Sequence, residues 1–168
     1  MSQLELRLLV SLATKNKVFP KTGDITQAFC QSVLPDSKKY ILKPPHGCPV
    51  SSPNTYWRLK KTLYGLKRSP RHFYNLVTKL LKEIGLTQHP TSPCIFYGRI
   101  LPDKPPLYLG VYVDDIIYFS SLRKVEEHFE TAFQQKIDIA FNGTIGYFLG
   151  INFKCHKTSE GKVKIHMS

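Results

Sequence analysis

Two adjacent carboxylates, Asp114 and Asp115, stand in the middle of the most apolar stretch of the chain, residues 107–120 (LYLGVYVDDIIYFS). The arms on either side are rich in Val, Ile, Tyr and Leu, and the acidic pair between them marks a reversal. The stretch reads as a β-hairpin with the two aspartates at its tip. Charges side by side repel, by about 4 kcal/mol at ~4 Å and an effective dielectric near 20. Two readings stay open: a solvated turn, where Asp is common, or a pair that meets a counter-charge. A divalent cation with oxygen ligands is the simplest counter-charge.

Asp24 bears on that choice, being the one acid between Glu5 and Asp36. Val18 and Phe19 lead into a Pro20–Gly23 turn, and the segment reads as a strand that delivers Asp24 at its end. Neighbouring strands of one sheet could set Asp24 beside Asp114. Two metal ions held there, ~3.5–4 Å apart, would activate an attacking oxygen and stabilise a leaving one.

The rest of the chain is basic. It has 24 Lys+Arg against 12 Asp+Glu, a net charge of +12 on 168 residues. Residues 37–82 hold eleven Lys and Arg and no acid. One sign over that length favours a polyanionic partner. Tyr40, Tyr56, Trp57, Tyr64, Phe73 and Tyr74 are interleaved and offer stacking partners for bases. An apolar share of 42% and an aromatic share of 12% exclude compositional disorder. The length suits one domain with a real core. No apolar run approaches the ~20 residues of a spanning helix, and residues 8–13 are too short for a secretory signal. A soluble protein of a reducing compartment, without a membrane partner, is expected. Cys30, Cys48, Cys94 and Cys155 form no CxxC pair, and His46, Cys48 or Cys155-His156 lack zinc-ligand spacing.

Periodicity places the other elements. Residues 4–14 read as an amphipathic helix, 40–43 as a short strand stopped by Pro44-Pro45, and 48–54 as loop. Residues 56–63 read as a strand. Ser69 and Pro70 suit the N-cap and first turn of a helix running to Ile84, with Gly85 as its stop. Residues 94–97 read as a strand, 101–106 as a turn, 122–135 as a helix and 147–154 as a last strand. The order suggests an α+β fold, a split βαβ arrangement whose antiparallel sheet has helices on one face.

Four boxes then carry a family resemblance in order: Asp24-Ile25-Thr26-Gln27-Ala28-Phe29, residues 40–47 (YILKPPHG), residues 59–71 (LKKTLYGLKRSPR) and Tyr147-Phe148-Leu149-Gly150. With Tyr112-Val113-Asp114-Asp115, a YxDD box, the chain resembles the reverse transcriptases of copia-type (Pseudoviridae) LTR retrotransposons over roughly residues 4–154. The resemblance implies a polymerase palm with partial fingers, the fingers elements being about residues 30–63. It implies that Asp24, Asp114 and Asp115 are catalytic and hold two Mg²⁺ ions, or Mn²⁺, with the Ile25 carbonyl as an extra ligand. Gln27 and Ala28 would offer N–H groups to a triphosphate, and Phe29 would clash with a 2′-OH. Tyr64 and Gly65 would line the nucleotide pocket. Lys67, Arg68 and Arg71 would contact phosphates, and Phe148, Leu149 and Gly150 would press on the primer end. Lys136 is a candidate general acid.

The implied activity is RNA-directed DNA polymerisation, with an RNA template, a DNA primer and dNTPs as partners. Integrase and RNase H segments of a polyprotein would join them. The resemblance leaves the thumb, connection and RNase H regions outside these residues and implies a cytoplasmic particle or the nucleus. The competing reading is a transposon-derived fragment that binds nucleic acid without polymerising. A nuclease or nucleotidyltransferase of another family would share the carboxylates but not the residue 59–71 and 147–150 boxes.

Overall fold

Leu6, Leu9, Val10 and Ala13 recur at helical spacing behind Ser2, whose hydroxyl and the Glu5 carboxylate form a reciprocal capping box. Helix α1 (Gln3–Lys15) buries that face. The structure, a computed structural model, describes residues 1–37, 39–50, 52 and 54–168. Lys38 of the basic stretch, and Ser51 and Pro53 of the 48–54 loop, lie outside the described residues. After α1 come β1 (Lys21–Ile25), β2 (Ile41–Leu42), β3 (Trp57–Arg58), α2 (Ser69–Glu83), β4 (Thr87–Gln88) and β5 (Ile95–Gly98). They are followed by β6 (Leu107–Tyr112), β7 (Asp115–Ser120), α3 (Arg123–Gln134), β8 (Ile139–Thr144), β9 (Tyr147–Phe148), β10 (Ile151–Lys157) and β11 (Val163–Met167). The chain divides into two units, one of residues 1–26 with 77–168 and one of residues 27–76.

The larger unit is built on a six-stranded antiparallel sheet in the order β4-β5-β6-β7-β1-β8. Along β7, alternate residues serve opposite faces. Ile117 and Phe119 join the α1 cluster of Leu6, Leu9 and Val10. Tyr118 instead meets the α3 ring of Phe129 at 5.2 Å and the β8 ring of Phe141 at 5.6 Å. Helices α1 and α3 therefore cover opposite faces, which corrects the expectation of helices on one face. A three-stranded sheet, β11-β10-β9, packs Phe148 and Phe153 into the α1 cluster.

Other expectations change with the structure. Residues 20–23 are not a turn, because Lys21, Thr22 and Gly23 already lie in β1. Gly23 is there for space. A Cβ on it would sit 3.1 Å from the Ala140 carbonyl oxygen and 3.1 Å from the Phe141 ring, beside a register shift at Thr22/Gly23. Residues 147–154 form a hairpin rather than one strand, since Leu149 and Gly150 turn the chain with φ of 50° and 80°. Positive φ at both central residues is what a type I′ turn requires. Strands β4, β8 and β11 were not expected, and β8 supplies the second partner of β1.

In the smaller unit the expected 56–63 strand shrinks to β3, paired with β2, plus an isolated bridge from Val33 to Lys61. Helix α2 begins at Ser69, whose hydroxyl donates to the Leu63 carbonyl at 2.6 Å. So Ser69 is the first helical residue rather than the cap before it. The helix runs past the boundary at residue 76 and stops at Gly85 (φ +97°), where Leu86 N–H reaches the Leu81 carbonyl at 3.0 Å. Among the described residues no helix is long and apolar enough to cross a membrane.

Candidate active site

The β6–β7 arms pair from Leu107↔Ser120 to Tyr112↔Asp115, leaving Val113 and Asp114 as the two turn residues. Asp115 is thus the first residue of β7 rather than part of the tip. Val113 takes φ +54°, a left-handed conformation that costs a β-branched residue ~1–2 kcal/mol. Its side chain is 46% exposed, so packing does not demand a valine there.

Strand β1 lies along the other edge of β7. The register sets Asp24 directly opposite Asp115, not opposite Asp114. Residues facing each other across an antiparallel pair share a face, with Cβ atoms ~4.5–5.5 Å apart. Asp114 is tied to the same strand through its backbone, because the Ile25 N–H donates to its carbonyl at 2.9 Å. Ile25 itself is buried and pairs with Ile139 of β8. The three carboxylates that the sequence singled out are therefore gathered at one end of the sheet by two strand pairings.

Asp24 is exposed and Asp114 and Asp115 are half-buried. Burial pushes the Asp115 carboxyl above its usual range, and the charges of Asp114 and Asp24 push it further. The site concentrates negative charge that nothing in β1 or the hairpin neutralises, and its donors are all hard oxygens. Among the described residues, no three His, Cys, Asp or Glu side chains form a preformed metal cluster. Carboxylate oxygens are the kind of donor Mg²⁺ takes, one or two at a time, with water and substrate phosphates completing its shell.

The expected nucleotide-contacting residues lie in the 27–76 unit. Gln27, at φ 45°, turns the chain into a 3₁₀ turn (Ala28–Gln31) in which Ala28 is buried. The half-buried Phe29 ring lies 4.7 Å from Tyr64 and 5.9 Å, edge-on, from Phe73. The Thr62 hydroxyl donates to the Phe29 carbonyl and fixes the backbone behind that ring. Phe29 and Tyr64 are thus brought together, while Phe73 and Thr62 join them unannounced. Phe73 reads in sequence as one of the aromatics interleaved in the basic stretch, and Thr62 only as one position of the 59–71 box. Gly65 takes φ +90° with open space where a Cβ would stand. Lys67, Arg68 and Arg71 are all exposed.

One expected role needs correction. Phe148 is only 3% exposed and belongs to the α1 core cluster, so its ring is not free to touch a primer. At this hairpin Tyr147 and Gly150 are exposed and Leu149 is partly buried. Lys136, the candidate general acid, is paired with Glu83 at 2.9 Å. The Lys136 hydrogen bond lowers the Glu83 carboxyl below its ordinary value.

Comparison with known proteins agrees with the motif reading. Residues 2–167 match the family described as reverse transcriptase (RNA-dependent DNA polymerase). The chain is 27% identical over 144 residues to the putative transposon Ty5-1 protein of Saccharomyces cerevisiae, covering 86% of this chain and 45% of that protein. It is 28% identical over 152 residues to the retrovirus-related Pol polyprotein from transposon RE2 of Arabidopsis thaliana, covering 89% of this chain and 10% of the polyprotein. The corresponding RE1 polyprotein matches at 28% over 149 residues, again 89% of this chain and 10% of its own length. The chain thus spans less than half the length of these curated relatives.

Proposed function

The chain belongs to the reverse transcriptase (RNA-dependent DNA polymerase) family, among its copia-type LTR retrotransposon members, and on that premise we propose that it carries the catalytic carboxylates of an RNA-directed DNA polymerase. The reaction is nucleotidyl transfer. A primer 3′-hydroxyl attacks the α-phosphorus of a dNTP and loses its proton to water, the bond from that phosphorus to the oxygen bridging to the β-phosphate breaks, and pyrophosphate leaves. The observation that carries the reading is the register that sets Asp24 opposite Asp115, beside the Asp114 turn.

Asp24, Asp114 and Asp115 would hold the divalent cations, with the Ile25 carbonyl as a further oxygen donor. The chemistry such cations would supply is easier ionisation of the attacking hydroxyl and charge balance on the leaving oxygen. Gln27 and Ala28 turn backbone N–H groups to the triphosphate. The Phe29 ring, backed by Tyr64 and Phe73, discriminates against a 2′-OH, and Gly65 keeps space open for the nucleotide. Lys67, Arg68 and Arg71 take phosphates of the template or primer.

The test is incorporation of dNTPs by the purified chain on a DNA-primed RNA template in Mg²⁺. Incorporation is expected from the parent, falling to background in Asp114→Asn and Asp24→Asn. Parental activity in either variant would remove these residues from the site. The acid-free 37–82 stretch favours a second reading, nucleic-acid binding without chemistry. Salt-sensitive binding with no incorporation by the parent would select it.

A further inference from the structure

The solvent face of the β10–β11 hairpin carries chemistry that the proposed reaction leaves unused. The register pairs Lys154 with His166 and His156 with Lys164, so these four form a two-by-two block on one face. Buried Phe153 and Val163 lie on the other face. All four block residues are exposed. The rings of His156 and His166 stack across one diagonal at 5.2 Å and 9° between planes, and the two lysines take the other diagonal. Residues 151–168 contain four lysines and a single acid, Glu160. That acid sits outside the block and is paired with Lys162 at 2.7 Å.

We propose that this face is a separate contact for single-stranded nucleic acid. Lys154 and Lys164 take backbone phosphates while an unpaired base stacks on the imidazole pair. Lysines alone would suit any polyanion. The parallel imidazoles select a strand whose base faces are free, since a duplex hides them. The proposal rests on reading the chain as a nucleic-acid enzyme, but it can fail without that reading failing.

The test measures binding of the whole chain to a labelled 12-nucleotide strand by fluorescence anisotropy across a salt series. His156→Ala/His166→Ala should weaken binding about fivefold or more, as loss of one stacked base predicts. Lys154→Gln/Lys164→Gln should lower the slope of log affinity against log salt by about 1.4, two contacts at ~0.7 each. The His variant should leave duplex and polyphosphate binding unchanged. A strand carrying 5-iodouracil should cross-link, on irradiation, to residues 151–168 of the unaltered chain, a readout that does not depend on any variant folding. Parental affinity and salt slope in both variants, or cross-links confined to residues 27–76, would overturn the proposal. So would a His variant that loses duplex and polyphosphate equally, since that shows bulk charge rather than base stacking. The polymerase reading is tested separately, by incorporation in Asp114→Asn.

Discussion

Asp115 stands where its own charge is disfavoured, by burial first and then by Asp114 and Asp24. A raised carboxyl pKa means that the folded state holds the proton more tightly than the unfolded chain. Stability is therefore lost as pH rises from the ordinary carboxylate range through the raised value. Asp115→Asn should stabilise the metal-free chain by about 0.5 kcal/mol, a modest figure because a half-exposed group is screened by solvent. Thermal melts in chelator would show it. Mg²⁺ should raise the melting midpoint of the parent and leave that of the variant nearly unmoved. A second residue in strain is Val113. Val113→Gly removes a left-handed penalty of ~1–2 kcal/mol and adds ~0.5–1 kcal/mol of chain entropy, for a net gain of up to about 1.5 kcal/mol. Urea denaturation that shows the glycine variant to be less stable would refute the strain at this turn. The aspartates were legible because charge inside an apolar run is rare. The turn geometry was not, because valine stands where a hairpin of this length usually has Gly or Asn.

Strand β1 is anchored to α3 by a network in the body of the sheet, three residues before Asp24. Lys21 Nζ lies 3.1 Å from Glu126 and 2.9 Å from Glu130, and the Tyr118 hydroxyl donates to Glu130 at 2.7 Å. Glu126 is 5% exposed and also accepts the Ser120 N–H at 3.1 Å. Burial alone would lower the Lys21 pKa, but hydrogen bonds and charges from Glu130 and Glu126 more than offset it and raise it. Burial, then Glu130, raises Tyr118 well beyond the ordinary phenol range. Both groups hold their protons more tightly when folded. Their contribution is full below the ordinary Tyr and Lys values and is lost as pH climbs through the raised ones. Urea midpoints should fall between pH 9 and 11, and less steeply in Glu130→Gln. Lys21→Met should cost about 3 kcal/mol at neutral pH, because it leaves the Glu126 charge buried without its cation. The three helices were legible from their 3.6-residue stripes. Some strands were not: β4 has only two residues, and β8 contains Asn142-Gly143, which reads as a turn.

For the molecule as a whole, the family was readable because boxes spread over nearly the whole chain stand in register. Which helix covers which sheet face was not. A strand buried on both sides, as β7 is, shows a continuous apolar run and loses the alternation that would assign its faces. Charge distribution was legible throughout, and it yields a prediction about the 27–76 unit. Replacing Lys67, Arg68 and Arg71 together with glutamine should lower the salt slope of single-strand binding by about 2, at ~0.7 per lost phosphate contact. An unchanged slope would make these side chains ordinary solvated surface. The place of β1 in the sheet has one more consequence, for how the protein comes into being. This early strand is a central one, and both of its partners, β7 and β8, lie about 90 or more residues later in the chain. At a synthesis rate of roughly 5–20 residues per second it waits some 5–20 s with both edges open. The loops that must then close are long, which slows folding and leaves a nascent strand vulnerable to wrong pairing. A chain whose synthesis stalls before β7 holds Asp24 with no Asp115 opposite it, so the carboxylate cluster forms only once β7 has been made.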